Sequence, residues 1–206
     1  DLYLKGRLSS IWVEDKFCIM DNLGGDAADA AAEHTAAPRL RFPLKVTLTI
    51  CVFCRQGKVS IRIQQKDYVL ESGVVLVIFG GQILENVELL EDSKVIIVAI
   101  DPEYIMTEIR GPHGRSLRQW LLHNQEPALV DIAEDEADNY ERLCQSLKFI
   151  VKNSDSGTAD GILSGFTYIF ASLLLKWRSR MASGDNPGNH GAVSDEEPAV
   201  YSRERE

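Results

Sequence analysis

Two cysteines three positions apart, Cys51 and Cys54, form the spacing in this 206-residue chain that could most directly support chemistry. A C-x-x-C pair serves zinc sites and thiol–disulfide exchange. The pair lies in the β-branched and aromatic run VTLTICVFC, which predicts a strand, and residues three apart on a strand point to opposite faces. A site there would need a bulge, and no second pair completes a zinc set. We therefore predict reduced thiols, typical of the cytoplasm, at Cys18, Cys51, Cys54 and Cys144.

The other ligand-type side chains are four histidines and a run of carboxylates between residues 131 and 141. A metal site inside a β-barrel needs ligands that converge from the strands, and the histidines all lie outside the predicted strands. They are His34, His113, His123 and His190. The carboxylate spacing matches no calcium loop, and negative charge is favourable at the start of a helix. The sequence thus predicts no metal ion and no cofactor.

Nucleophile and phosphate motifs are also missing from the sequence. Ser164 falls inside a predicted helix and not at the strand-to-helix turn that exposes a catalytic serine. The pair Gly80-Gly81 connects two predicted strands, whereas a phosphate-binding loop opens a helix. We therefore predict no catalytic residue, and a protein that is not an enzyme.

The elements that would position any site begin with a block of short strands between residues 42 and 101. Val59, Ile61 and Ile63 alternate with polar residues, which places three apolar side chains on one strand face. Turn signals separate runs of this kind about every ten residues, a pattern typical of a β-sandwich or small barrel. Two earlier strands are predicted over residues 8–13 and 16–20. The small and acidic segment 21–37 is predicted to be a mobile insertion.

After residue 101 the apolar spacing becomes helical. Two short helices are expected, the first stopped at residues 111–114, and an extended connector follows at 127–132. Two long helices are predicted at about 134–152 and 158–181. The apolar stretch of the second covers about fourteen residues, and a membrane span needs about twenty. We therefore expect a packing helix and no membrane contact.

The remaining sequence and the net charge limit the possible partners. Residues 183–206 are rich in Gly, Pro, Asn and Ser, which predicts a linker or disordered tail. The net charge of −9 makes this chain a poor nucleic-acid binder by itself, because affinity for phosphates depends on basic side chains.

The order of these elements resembles the N-terminal domain of AraC-type transcriptional regulators over residues 12–180. Gly57 is similar to the first turn glycine of that family's cupin barrel. The segment YVLESG at 68–73 is similar to its strand-to-turn segment, and FGGQI at 79–83 to the turn before the later strands. The Bacteroidetes-like branch is the most similar. The chain lacks the strand histidines of metal-dependent cupins, and Gln82 stands near where such families often place one.

The resemblance implies an α+β protein: a cupin-like antiparallel β-barrel (double-stranded β-helix) over residues 1–101, followed by an α-helical dimerisation region over 102–182. It implies a bacterial, cytoplasmic sensory domain. Such a domain binds a small effector and controls helix-turn-helix DNA-binding units that this chain lacks, so DNA binding is expected only through them. The tail over 183–206 then corresponds to the interdomain linker.

Candidate residues follow from the apolar faces. The predicted effector site comprises Val59, Ile61 and Ile63 on the inward strand face and Gln82 at the mouth. A homodimer is predicted through the C-terminal helices, with interface residues Ile162, Phe166, Ile169, Phe170 and Leu173. The alternatives are a free-standing cupin-type enzyme, such as a small-sugar isomerase or dioxygenase, a small-molecule-binding protein, and a barrel that only holds a dimer together.

Overall fold

The computed structural model describes residues 8–13, 16–23, 42–90, 92–109 and 111–183. The predicted insertion beyond residue 23 and the predicted tail beyond residue 183 lie outside these ranges. The strands are β1 (Ser9–Val13), β2 (Phe17–Asp21), β3 (Leu44–Lys45), β4 (Thr49–Gln56), β5 (Lys58–Ile63), β6 (Lys66–Glu71), β7 (Val74–Ile78), β8 (Ile83–Leu89), β9 (Lys94–Ile100) and β10 (Ala128–Asp131). The helices are α1 (Pro102–Glu108), α2 (Pro112–His123), α3 (Glu134–Asn153) and α4 (Ser156–Ser183).

The strands form two antiparallel sheets, which confirms the mixed α+β class. The larger sheet has the order β1-β2-β9-β4-β7-β10, and the smaller one has the order β3-β8-β5-β6. Within the described residues, no hydrogen-bonded ladder joins the two sheets into a closed barrel. The double-stranded β-helix therefore stays a prediction.

Three strands of the larger sheet, β4, β7 and β9, are buried on both faces. In β4, Val52 belongs to the core between the two sheets, whereas Phe53 belongs to the core between the large sheet and the helices. The same alternation places Leu76 in the first core and Val77 in the second. Because neither face meets water, these strands are continuous apolar runs. The molecule therefore has three layers: the small sheet, the large sheet and the helices.

The strand with the clearest alternation has one solvent face. Val59, Ile61 and Ile63 of β5 are fully buried between the sheets, while Lys58 and Arg62 point outward and pair across the strand with Glu71 and Asp67. The small sheet thus presents a polar outer face, as its period of two predicts.

One segment corrects a sequence-based boundary. The first short helix ends at Glu108, before residues 111–114, as expected, but the second begins at Pro112 and not at Ser116, where the sequence predicts it. Proline suits the first helical position because it has no N–H to leave unpaired. Gly111 precedes it with φ of +94°, and a Cβ on Gly114 would collide with the carbonyl oxygen of Ile109. The Gly-Pro-His-Gly segment at 111–114 therefore begins a helix that packs closely on the preceding chain.

The helical layer is joined to the large sheet by a chain of aromatic rings. Phe17 of β2 meets Phe166 edge to face at 5.2 Å between ring centroids. Phe166 stacks on Phe170 at 5.8 Å, and Phe170 on Tyr140 at 6.3 Å. Tyr140 then contacts Trp177 at 5.9 Å. One side of α4 therefore packs in the core of its own chain.

Among the described helices, the segment Thr158–Ala182 is long and apolar enough to span a bilayer by length and composition alone. Its most apolar window has a mean hydropathy of 1.4 and is 39% buried. The buried side carries Leu163, Phe166, Phe170 and Trp177. The helix therefore packs within its own chain, as predicted. The remaining side is open to solvent.

Candidate functional site

A cavity of about 120 Å³ lies between the two sheets. Its walls come from β1 and β2, from β3 and the residues after it, and from β4, β7, β8 and β9. Its lining includes Trp12 and Met20, Leu44 and Leu84, and Ile97. A cavity of about 150 Å³ lined by apolar side chains is known to accept benzene. At about 120 Å³ this space is somewhat smaller, which puts it at the size of one small ring or a short chain.

The cavity lining is almost entirely apolar. Lys45 is the charged residue among the described residues of the lining, and its cross-strand partner is Ile83, whereas the partner of Leu44 is Leu84. Leu84 is buried and Ile83 is 43% exposed, so Leu44 faces inward and Lys45 faces the solvent side of the sheet. A charged ligand group inside this cavity would remain unpaired, which is unfavourable. The geometry suits a neutral apolar molecule.

The predicted effector residues lie near this cavity but outside its lining. Val59, Ile61 and Ile63 belong to the same inter-sheet core and are fully buried. The residues that the sequence reasoning missed are on β1, β2 and the segment 44–50. For β1, the sequence signal that could have indicated a lining residue was its mixed apolar and polar pattern. In that pattern, Trp12 stands between Ile11 and Val13.

Gln82 is a buried connector between two loops. Its Oε1 accepts a hydrogen bond from the Phe79 N–H at 2.9 Å, and its Nε2 donates to the Gln125 carbonyl at 2.8 Å. Its side chain is 1% exposed. Its backbone carbonyl also accepts from the Val46 N–H at 2.8 Å, and Val46 lines the cavity. Gln82 therefore fixes the turn after β7 against both the cavity rim and the end of α2.

Gln82→Leu should lower the free energy of unfolding by about 1–3 kcal/mol, since it leaves the buried Phe79 N–H without a partner and breaks the part-buried bond to the Gln125 carbonyl. Urea denaturation followed by tryptophan fluorescence measures this change. Gln119→Leu, at an exposed position of α2, is the matched control and should leave the midpoint nearly unchanged. Equal midpoints for the two variants would contradict the connecting role.

The four cysteines are buried, and Cys51 and Cys54 lie on opposite sides of the large sheet. Cys51 belongs to the helix-side core and Cys54 to the inter-sheet core, as expected for residues three apart on a strand. Burial raises the pKa of Cys18 to about 12 and that of Cys54 to about 11, and it also raises the pKa of Cys51 and Cys144. These thiols therefore remain protonated at neutral pH. Within the described ranges, no three Cys, His, Asp or Glu side chains form a group that could hold a metal ion.

The predicted interface residues fall on different sides of α4. Phe166 and Phe170 are buried in the chain's own core, Ile162 and Leu173 are half-buried, and Ile169 is 47% exposed. Two exposed aromatic residues were missed by the sequence reasoning. Tyr168 on α4 is 60% exposed and Phe149 on α3 is 70% exposed. Both lie within predicted helices, but periodicity alone does not say which helix side the sheet covers.

A buried ion pair lies behind the cavity wall. The Lys148 Nζ of α3 donates to Asp21 Oδ2 of β2 and to Ser9 Oγ of β1, each at 2.6 Å. The side chains of Lys148 and Asp21 are 9% and 2% exposed. The Leu23 N–H also donates to Asp21 Oδ1 at 3.2 Å. The ion pair joins α3 to the two strands whose opposite faces line the cavity.

The carboxylate Glu136 makes a second charged connection, between α3 and the end of α4. It accepts hydrogen bonds from Trp177 Nε1 at 3.0 Å and from Arg180 Nη2 at 2.6 Å. Burial alone would raise the pKa of Glu136, but these bonds outweigh burial and hold the pKa below its usual value. Glu136 is therefore a charged link within the helical layer.

No protein-family model and no curated protein matches this chain. Among solved structures, it is similar to ToxT from Vibrio cholerae bound to (E)-4-(8-methylnaphthalen-1-yl)but-3-enoic acid, with 12% identity and a TM-score of 0.40 over 67% of this chain and 51% of ToxT. It is also similar to the AraC-like transcriptional activator CuxR, with 8% identity and a TM-score of 0.47 over 80% of this chain and 54% of CuxR. TM-scores below 0.5 do not establish a shared fold. The chain spans about half the length of these structures.

Proposed function

We propose that this chain is the sensory and dimerisation domain of an AraC-type transcriptional regulator. The observation that carries the proposal is the apolar cavity between the sheets, which is bounded by strands that the helical layer contacts from behind. The order of strands followed by long helices, which motivated the resemblance, supports the same assignment. The regulator would act in the bacterial cytoplasm, with the DNA contacts supplied by helix-turn-helix units attached after the helical region.

The proposed effector is a small neutral apolar molecule, or the apolar part of a larger one. Lys45 faces the solvent side and the rest of the described lining is mostly apolar, so burial of apolar surface is the main source of affinity. A sugar would bring several hydroxyl groups into a space where few lining side chains, Trp12 and Thr47 among them, can hydrogen-bond them, which is costly. This chemistry makes a sugar effector or substrate a poor fit for the cavity.

A thermal-shift screen of benzene, toluene, indole and naphthalene tests this proposal. A ligand at about 100 times its Kd adds about 2.7 kcal/mol to the stability of the folded state, and 1 kcal/mol corresponds to about 2–4 °C in a domain of this size. We expect at least one of these molecules to raise Tm by several degrees.

Ala99→Phe supplies the control, because Ala99 lines the cavity and a phenyl ring would fill it. This variant should lose the thermal shift, whereas Ala182→Phe, at an exposed position near the end of α4, should retain it. The absence of any shift across the panel, or equal shifts in both variants, would count against the cavity as an effector site.

The open side of α4 is the proposed dimer interface, with Ile169 and Tyr168 at its centre and the half-buried Ile162 and Leu173 beside them. Exposed apolar side chains that recur along one helix face are typical of protein interfaces. Phe166 and Phe170 would contribute indirectly, by holding α4 against the sheet.

Ile169→Asp should shift the protein from dimer to monomer mass in light scattering, because the carboxylate would be buried without a partner. Ile83→Asp is the matched control. Ile83 is the same residue type and has a similar exposure, 43% against 47%, but it lies on the outer face of the small sheet. An unchanged dimer mass in a folded Ile169→Asp protein would rule out this interface.

A further inference from the structure

The strands β1 and β2 are a wall shared by the cavity and the helical layer. Trp12 and Met20 face the cavity, whereas Ile11, Phe17 and Ile19 belong to the helix-side core. Successive side chains of a strand point to opposite faces, so one short pair of strands contacts both. If a ligand displaced this wall, the side chains that contact the helical layer would therefore move with it.

This wall is also the side of the cavity that can move with the least disruption. Among the described strands, β1 is at the edge of the large sheet and pairs with β2 alone. By contrast, β2, β4 and β9 are each paired on both sides, so β1 is the freest strand of the wall, and Lys148 contacts it through Ser9 Oγ. The other edge strand at the cavity, β3, belongs to the small sheet, whose outer face is polar and carries no helix of the described ranges. Movement of β3 would reach the end of α2 through Val46 and Gln82, but not the ion pair on α3.

The ion pair between Lys148 and Asp21 determines whether α3 moves with the wall. If the wall moved away from α3, Lys148 would lose both Asp21 and Ser9, and the two buried charges would be separated, which is among the most costly changes in a protein interior. Apolar contacts such as that between Phe17 and Phe166 can slide at smaller cost, because they have no strict direction. We therefore expect α3 to follow β2.

A movement of α3 would be passed on to the end of α4. Glu136, on the first turn of α3, accepts hydrogen bonds from Trp177 and Arg180. Both bonds involve a charged carboxylate and are therefore stronger than neutral hydrogen bonds. Residue 183 ends α4, and Met181 lies next to Arg180 and packs against the helix-side core.

We infer that the Lys148–Asp21 ion pair couples occupancy of the inter-sheet cavity to the position of α3 and of the C-terminal end of α4. The inference rests on the proposed function in one respect, that an apolar ligand enters the cavity. It adds the route by which that ligand changes the helical layer. A ligand can shift such an equilibrium only if it fits the two positions of the wall differently.

The three methionines of the chain provide reporters in suitable places. Met20 lines the cavity and Met181 lies at the end of α4. Met106 lies in α1, which directly follows β9, so it reports on a route that does not use the ion pair. Benzene titrated into the whole chain, labelled with ¹³C at the methionine methyl groups, should shift the Met20 signal and also the Met181 signal.

The double variant Asp21→Asn/Lys148→Gln removes both charges and so leaves none unpaired. When benzene shifts the Met20 signal by the same amount as in the wild-type chain, this variant should show a benzene-induced shift of the Met181 signal that is smaller by about threefold or more. The shift of the Met106 signal should stay the same. If this variant does not fold, Glu136→Gln replaces it. That variant removes the charge that holds Arg180 to α3, and it should reduce the Met181 response in the same way.

The possible failures can be distinguished. If Met20 does not respond to saturating benzene, the cavity does not take an apolar ligand, and both the proposed function and the coupling are overturned. If Met20 responds and Met181 does not, the coupling alone is overturned. It is also overturned if Met181 responds equally in the wild-type chain and in the folded variant.

Discussion

Lys148→Ala should lower the free energy of unfolding by about 3–5 kcal/mol, because it leaves the Asp21 carboxylate buried without its cation. Asp21 is 2% exposed and Lys148 is 9% exposed, so water cannot replace the lost partner. Typical domains have a stability of about 5–15 kcal/mol. The change would therefore remove a large fraction of the total, and urea denaturation followed by tryptophan fluorescence would show it as a much lower midpoint.

Two comparisons separate the buried charge from the loss of side-chain contacts. Asp21→Asn/Lys148→Gln should lose less stability than Lys148→Ala, since replacing both ions by neutral groups leaves no unpaired charge. Lys66→Ala breaks an ion pair with Glu126 whose side chains are 64% and 78% exposed, and exposed pairs contribute little. Equal midpoints for Lys148→Ala and Lys66→Ala would show that the buried pair is not stabilising.

Phe170→Ala should cost about 3–5 kcal/mol, the usual range for removing a buried phenyl ring from a packed core. Phe170 is fully buried and stacks between Phe166 and Tyr140. Its loss would leave a cavity at the junction of α3, α4 and the large sheet. The thermal unfolding midpoint of the dilute protein measures this effect.

Tyr168→Ala is the matched control on the same helix, two residues earlier. Its side chain is 60% exposed, and substitutions at exposed positions usually change stability little. The pair of variants thus distinguishes the side of α4 that holds the monomer together from the side proposed for dimerisation. A larger loss of stability from Tyr168→Ala than from Phe170→Ala would reverse that assignment.

The sequence predicted the local structure well wherever one face of an element is polar. The alternation in β5 predicted that Val59, Ile61 and Ile63 would be buried, and they are. Opposite faces for Cys51 and Cys54 followed from the same period of two. The helical spacing after residue 134 predicted α3 and α4 to within about two residues at each end, the usual disagreement between ways of defining helix ends.

The location of the cavity could not be predicted in this way, because it depends on pairings between distant parts of the chain. β2 pairs with β9, and β3 pairs with β8. Only these ladders bring Met20 and Leu44 to the same space. The apolar stripe of α4 is likewise too wide for periodicity to separate Phe170, which faces the core, from Ile169, which does not. Which side chains line the cavity, and which side of α4 is buried, both depend on the elements that pack over them. The apolar pattern of one strand or helix does not record that packing.

The pairing of β2 with β9 also determines when the large sheet can form. The small sheet is complete within residues 44–89, so its contacts are local and should form early. β1 and β2 are synthesised before the other described strands, but their ladder partner ends at Ile100 and their helical cover, with Phe166, comes much later. During synthesis, the apolar face with Ile11, Phe17 and Ile19 therefore remains uncovered until α4 has been made. We expect refolding to be slow and this strand pair to be a segment that binds chaperones.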